Sequence, residues 1–344
     1  MKRALVTGGS GYFGCLLVRE LLAKGYEVSV FDIEDASDRP ENVTFFRGDI
    51  RDRHAITRAC EGIDVVHHNV AQVPLAKDRH LFETVNVDGA RHLLEAARLC
   101  QVKKVVLTSS SAVYGVPSKN PVDDTVIPRP REPYGEAKLR AEHLARDFVE
   151  RHGLDVTIVR PRTILGHGRL GIFQILFEWV RTGKPVWLLG QGDNRYQFVH
   201  ALDLADACIR AGELPGPETF NIGAENFGTM RELLEALVTH AGTGSRIRSL
   251  PTRLAVPVMD LTSRLGLSPL GPYHALMYGR EMFFDIAKAK EKLGWAPRFG
   301  NSEMICESYD WYLAHREEVL ASASASAHRS AVKRRVLRVL EYLP

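Results

Sequence analysis

The stretch Ala4-Leu5-Val6-Thr7-Gly8-Gly9-Ser10-Gly11-Tyr12-Phe13-Gly14 sets an apolar run directly before glycines spaced Gly-x-x-Gly-x-x-Gly. A helical pattern follows from about Tyr12 to Lys24 and stops at Gly25. The segment therefore predicts a strand, a tight turn and a helix. Glycines at 8, 11 and 14 let the backbone turn sharply and approach a pyrophosphate, toward which the helix N-terminus aims its free N–H groups. Gly8, Gly11, Tyr12, Phe13 and Gly14 are accordingly candidate cofactor contacts. Asp32 ends the next apolar run, Glu27-Val28-Ser29-Val30-Phe31-Asp32. A carboxylate there can accept from a ribose 2′-hydroxyl and would repel a 2′-phosphate, which favours NAD over NADP. Asp49 and Ile50, after the run Val43-Thr44-Phe45-Phe46, are candidates for the adenine end, although Asp49 reads equally well as a plain loop acid.

Outward from this turn, short apolar runs alternate with helical patterns. Asp64-Val65-Val66-His67-His68, a helix around Thr84–Leu99, Lys104-Val105-Val106-Leu107-Thr108 and Val156-Thr157-Ile158-Val159-Arg160 succeed one another. Such alternation predicts an α/β fold with a Rossmann-type, doubly wound parallel sheet and right-handed crossovers. The nucleotide-binding domain is expected over residues 1–160, with segments around 195–223 returning to it. Residues 161–318 are expected to form mainly a smaller C-terminal α/β substrate lobe. Ser- and Ala-rich residues 319–330 read as a flexible linker, and 331–344 as a basic amphipathic tail.

With 344 residues, the chain can hold a full nucleotide-binding domain and a second lobe. No apolar run approaches the roughly 20 residues needed to span a bilayer. The first residues run straight into the glycine motif, so they read as a strand, not a signal peptide. Five scattered cysteines lack metal-ligand spacing, so no metal site is expected and a cytoplasmic enzyme with reduced thiols is the economical reading. The net charge of +3 is unevenly placed. From His328 to the end, five basic residues face one acid, a net of +4 that leaves the body at about −1. The body thus gives no case for nucleic-acid binding.

Tyr134 and Lys138, in Pro133-Tyr134-Gly135-Glu136-Ala137-Lys138, stand four residues apart. On a helix this spacing puts an ammonium beside a phenol. A fixed positive charge favours the phenolate, bringing a group with an ordinary pKa of about 10 toward use as a base near neutral pH.

In order along the chain, the sequence carries the glycine turn, Asp32, His68, Asn86-Val87-Asp88-Gly89, Thr108-Ser109-Ser110-Ser111-Ala112-Val113-Tyr114-Gly115 and Tyr134-x-x-x-Lys138. Arg195-Tyr196-Gln197-Phe198-Val199-His200, Asn221-Ile222-Gly223 and Leu293-Gly294-Trp295-Ala296-Pro297 follow. From Lys2 to about Tyr312 this set resembles the extended short-chain dehydrogenase/reductases, specifically their nucleotide-sugar epimerase/dehydratase group. The resemblance implies that Tyr134 accepts a hydroxyl proton while the nicotinamide accepts a hydride. Ser110 would hydrogen-bond the reacting oxygen, and Lys138 would hold the nicotinamide ribose. It also implies cofactor contacts at Val70, Ala71, Asn86 and Thr108, and a homodimer.

Dehydratases of this group carry a carboxylate directly after the catalytic hydroxyl, and here Ser111-Ala112 stand there. The form therefore looks most like the 4-epimerases, whose chemistry runs through a transient 4-keto sugar. For the substrate, a nucleotide-diphosphate sugar, the resemblance implies contacts from Ser110, Ser111, Tyr134, Thr163, Arg195 and Arg280, the two guanidiniums matching phosphate oxygens. Thr163 replaces an asparagine common in sugar-nucleotide enzymes. Arg160-Pro161-Arg162 also resembles the hydroxysteroid-dehydrogenase-like branch. A dehydrogenase or ketoreductase of a sugar nucleotide or a hydrophobic, steroid-like alcohol thus stays open as the alternative, and a non-catalytic NAD sensor as a third. His200 is expected to pack structurally and Asp203 to cap a following helix. In the tail, Val332, Val336, Leu340 and Leu343 form an apolar stripe among basic residues. It suits a weak membrane-surface contact or a terminal helix that is solvated or packed on a partner.

Overall fold

The computed structural model describes residues 1–73, 79–169, 172–251 and 279–321. Strand β1 (Arg3–Thr7) is followed by α1 (Tyr12–Ala23), β2 (Glu27–Asp32), β3 (Thr44–Arg47), α2 (Arg53–Cys60) and β4 (Val65–His68). A short helix α3 (Arg79–Leu81), a π-helical turn (Phe82–Asp88) and α4 (Gly89–Leu99) lead to β5 (Lys104–Thr108) and a 3-10 turn (Ser111–Tyr114). Then come α5 (Pro133–His152), β6 (Val156–Pro161), β7 (Thr163–Leu165), α6 (Ile172–Arg181), β8 (Val186–Leu189), β9 (Phe198–His200) and α7 (Ala201–Glu213). β10 (Thr219–Ile222), α8 (Met230–Ala241) and β11 (Ile247–Leu250) precede helices Ala287–Leu293, Asn301–Ala314 and Arg316–Ala321.

The residues fall into two compact units. The first comprises Met1–Arg162, Ala201–Gly223 and Phe284–Ala296. Its seven strands form one parallel sheet in the order β3-β2-β1-β4-β5-β6-β10. Both faces are covered: Leu5, Val66, Val105 and Leu107 are buried with Ile56, Leu93 and Ala97 from the helices on one side, and Ala4, Val6 and Val106 are buried on the other. That is why these strands read as continuous apolar runs and not as alternating ones. The order reverses between β1 and β4, and ligands of such sheets bind in the crevice at the reversal, beyond the strand C-termini. Register fixes what meets there: Thr7 pairs with Phe31 on one side and His68 on the other.

The stretch Ala201–Gly223 belongs to this unit, and its β10 pairs with β6, Thr219 opposite Ile158. Phe284–Ala296 returns as well, through a bridge between Phe284 and Val122 and a bond from Trp295 Nε1 to the Asp203 carbonyl at 2.9 Å. Residues 283–285 are not a strand; isolated bridges at Met282 and Phe284 are all that forms there. Asp203 lies inside the first turn of α7 and so is not its N-cap.

The second unit contains the described residues of Thr163–His200, Ala224–Phe283 and from Pro297 onward. Two small parallel pairs, β7–β9 and β8–β11, share a core with α6, α8 and the Asn301–Ala314 helix. Asn301 organises it: its amide donates to the Tyr196 carbonyl at 2.6 Å and accepts from the Phe198 N–H at 3.1 Å. His200 is buried against Phe299, ring centroids 3.9 Å apart, which is a packing role. Val319–Ala321, assigned to a linker from composition, complete a helix. The rest of that linker and the tail at 331–344 lie outside the described residues. All five cysteines carry free thiols. Among the described residues no helix is long and apolar enough to cross a membrane, and no group of His, Cys, Asp or Glu could hold a metal.

Burial pushes His67 down to about 4 and His68 to about 3, so both are neutral in the fold. Their folded pKa values lie below the unfolded value of about 6.5, so the stability each contributes is complete above that pH and lost as pH falls through the folded value. Urea titrations between pH 7 and 5 should show unfolding free energy dropping, with each histidine contributing up to about 1.4 kcal/mol per pH unit. His68→Gln should lessen that slope by one proton; an unchanged slope would mean His68 is already protonated in the fold.

Candidate active site

The three motif glycines do different work. Gly8 has φ +72°, in the left-handed region, and a Cβ there would meet the Val70 nitrogen at 2.9 Å. A Cβ on Gly14 would fall 2.1 Å from the Gly8 carbonyl oxygen and 2.7 Å from the Gly9 Cα. Both glycines therefore serve backbone-on-backbone packing. Gly11 differs, since the nearest atom to its missing Cβ is the Gly8 oxygen at 3.3 Å and otherwise the space is open. Gly11 is also the N-cap of α1, and no side chain caps that helix. An uncapped helix start facing open space suits a pyrophosphate. Tyr12 and Phe13, in the first turn, are buried and anchor it.

Asp32 is tied to the same turn. Its carboxylate accepts from the Ser10 N–H at 3.0 Å and from the Ile33 N–H at 2.8 Å. Burial raises its pKa, against the lowering effect of those backbone donors. Asp49 and Ile50 do not join it. Asp49 forms an ion pair with Arg51, which holds its carboxyl below the usual range, and Ile50 is buried in the core beneath Gly89.

Across the sheet reversal, the loop after β4 is held from two directions. Asn86, in the π-helical turn, accepts from the Gln72 N–H at 2.7 Å and donates to the Gln72 carbonyl at 3.0 Å. Its side chain thereby helps shape the Val70–Gln72 loop. Thr108 Oγ1 donates to Asn69 Oδ1 at 2.6 Å, joining the ends of β5 and β4. Thr7 Oγ1 and His68 Nδ1 lie 2.7 Å apart, joining β1 to β4.

The β5 end also leads to Ser110, the candidate catalytic hydroxyl. Ser110 is the N-cap of the 3-10 turn, its Oγ accepting from the Ala112 N–H at 3.1 Å. That leaves the hydroxyl proton for another oxygen. Helix α5 begins immediately before Tyr134, with Glu132 as N-cap accepting from the Tyr134 and Gly135 N–H groups and Pro133 at its first position. Pro at that position costs no hydrogen bond, and a capping side chain contributes about 1 kcal/mol. Tyr134 is buried, its ring edge-on to Phe82. Lys138, one turn on, donates to the Thr108 carbonyl at 2.9 Å. Burial lowers it to about 8, against the opposing charge of Glu142. Ser111 faces inward instead, its Oγ accepting from Arg162 at 3.0 Å.

The proposed substrate residues Thr163, Arg195 and Arg280 belong to the second unit. Thr163 Oγ1 lies 3.1 Å from the Tyr196 hydroxyl. The exposed Arg195 guanidinium lies over the rings of Phe227 at 4.9 Å and Phe283 at 4.3 Å, which leaves its N–H edges for an anion. Arg280 is exposed, and its carbonyl accepts from Asn194.

The glycine turn, Asp32 and the Ser110, Tyr134 and Lys138 group define a dinucleotide-dependent enzyme of the short-chain dehydrogenase/reductase type. A family model described as the NAD dependent epimerase/dehydratase family matches residues 4–223, and the chain belongs to that family. NAD is accordingly its cofactor, and the open, uncapped start of α1 beside Asp32 fits it. An uncharacterized protein of Sinorhizobium fredii, y4nG, is 52% identical over 99% of this chain and 86% of its own length. A UDP-glucose 4-epimerase of Mycolicibacterium smegmatis is 30% identical over 90% of this chain and 98% of its own. A human sterol-4-alpha-carboxylate 3-dehydrogenase, decarboxylating, is 35% identical over 62% of this chain and 58% of its own. The crystal structure of the Thermotoga maritima UDP-glucose 4-epimerase with UDP-glucose superposes with a TM-score of 0.78 at 27% identity, covering 91% of this chain and 99% of that one.

Two sets of residues escaped the sequence reading. Glu132 acts through the two backbone hydrogen bonds by which it caps α5, which no motif announces. Glu142 and Arg160 could have been suspected, since Glu142 continues the four-residue spacing of Tyr134 and Lys138. Gly14→Ala should abolish NAD binding measured by calorimetry and lower the melting temperature, because its Cβ meets immovable backbone. Gly25→Ala, whose Cβ would meet nothing within 4 Å but whose φ is +82°, should only lower stability.

Proposed function

We propose that the protein is an NAD-dependent 4-epimerase of a nucleotide-diphosphate sugar. The observation that carries this reading is the site itself. Ser110 has a hydroxyl proton to donate, Tyr134 and Lys138 follow on one helix, and the positions after Ser110 hold no carboxylate. Tyr134 takes the proton of the C4 hydroxyl as the carbon is oxidised, and Ser110 donates to that oxygen as it becomes a carbonyl. Lys138 supplies a positive charge beside them and holds the nicotinamide ribose. NAD, when bound, takes up and returns the hydride. After the ketone turns over, Tyr134 returns its proton to the same oxygen, so the reaction leaves no net redox change. With Ser111 and Ala112 next to Ser110, the family's usual base for removing a proton beside the ketone is missing, which disfavours elimination. Arg195, lying over two adjacent aromatic rings, is suited to the diphosphate. The likeness to the UDP-glucose 4-epimerases supports the sugar-nucleotide reading, and a homodimer is proposed by family resemblance.

The sterol dehydrogenase relative, together with Arg160-Pro161-Arg162, favours a second reading, net dehydrogenation of an alcohol. Incubation with UDP-sugars should give epimer pairs by NMR with no lasting absorbance at 340 nm. Stoichiometric NADH formation would instead establish the dehydrogenase. Tyr134→Phe should lower kcat by about 10²- to 10⁴-fold in a folded protein. Arg195→Ala should raise KM for the nucleotide sugar by about tenfold or more with kcat little changed, the loss expected for charge-assisted bonds to an anion.

A further inference from the structure

Glu142 is completely buried and sits one turn beyond Lys138 and two beyond Tyr134 on α5. Its Oε1 accepts from Ser109 Oγ at 2.6 Å and from Arg160 Nε at 2.8 Å. Its Oε2 accepts from Arg160 Nη2 at 2.6 Å and from Arg146 at 3.0 Å. Ser109 directly precedes Ser110, and its N–H is fixed to the Val159 carbonyl at 2.7 Å. Arg160, from β6, continues to the Tyr114 hydroxyl at 2.6 Å, and that hydroxyl donates to Asn221 Oδ1 at 3.0 Å. One carboxylate therefore joins the helix bearing Tyr134 and Lys138 to the turn bearing Ser110, by way of a side chain adjacent to each.

We propose that Glu142 is a positioning residue for the Ser110, Tyr134 and Lys138 group. It registers the Ser110 turn against α5 through Ser109 and places a negative charge one helical turn from Lys138. This rests on the functional reading above. A buried ammonium that donates to the Thr108 carbonyl is favoured by such a charge, because desolvation favours its neutral form. The charged and titratable groups around the pair are few. Arg160 of β6 and Arg146 of α5 hold Glu142, His68 of β4 faces Lys138 and is neutral, and Tyr114 of the 3-10 turn bonds Arg160. Two cations on Glu142 keep it ionised: burial works to raise its pKa, but Arg160 above all holds it below the usual carboxylate range.

The test is a titration of Lys138 in protein carrying lysine labelled with ¹³C at the ε carbon, the resonance being assigned with Lys138→Met. The wild type should titrate near pH 8. Glu142→Gln should move that midpoint down by about one pH unit or more, the size expected for a close opposite charge. Glu142→Asp should restore it toward the wild-type value. An unmoved midpoint in a folded Glu142→Gln protein overturns the charge role. Ser109→Ala keeps the Glu142–Arg160 pair, so it folds even where Glu142→Gln does not. It should lower kcat about tenfold at unchanged KM, with a melting temperature lower by only a few degrees. Wild-type kcat in Ser109→Ala overturns the registration role. Wild-type protein inactive on every UDP-sugar would instead defeat the functional reading, leaving the lysine titration to decide on Glu142.

Discussion

Everything in the first unit is arranged around a close backbone approach. Helix α1 starts so near the end of β1 that a methyl group on Gly14 would lie 2.1 Å from the Gly8 carbonyl oxygen. That contact points the free N–H groups of the helix into the crevice where the strand order reverses. It also sets Gly8 against Val70, so the loop after β4 has a fixed wall. Asp32 then takes its place because its carboxylate is bonded to Ser10 within the same turn.

Opposite the turn, the proposed Ser110, Tyr134 and Lys138 group is assembled by polar contacts in the interior. Lys138 holds the β5 end through the Thr108 carbonyl, and Glu142 holds the next residue through Ser109. Breaking a buried ion pair such as Glu142–Arg160 costs about 3–5 kcal/mol, because a charge is left without its partner. Such a set is a poor source of net stability, since apolar residues would fill the space as well. Its value lies in geometry, as a hydrogen-bonded carboxylate defines positions that packing alone leaves loose.

Several features were legible in the sequence for local reasons. The glycine spacing, the Asp32 strand end and the Tyr134 and Lys138 spacing are each set by a few consecutive residues, and the seven-stranded sheet follows from the alternation around them. Other assignments needed three dimensions. Asn86 was expected to contact the cofactor, and its amide also bonds both backbone groups of Gln72; Asp49 also pairs with Arg51. Asp203 resembled a cap because it stands near a helix start, but the helix begins two residues before it. A side chain's partner depends on segments far along the chain, which periodicity cannot report.

The sequence by itself determined the class of sheet and the glycine turn, and it nominated the hydroxyl, phenol and ammonium groups, because strand, turn and helix preferences are local. Only the tertiary structure decided that Glu142 belongs with them. Ser109 and Arg160 lie 33 and 18 residues from it, and they meet its carboxylate only after β5 and β6 have paired beneath α5.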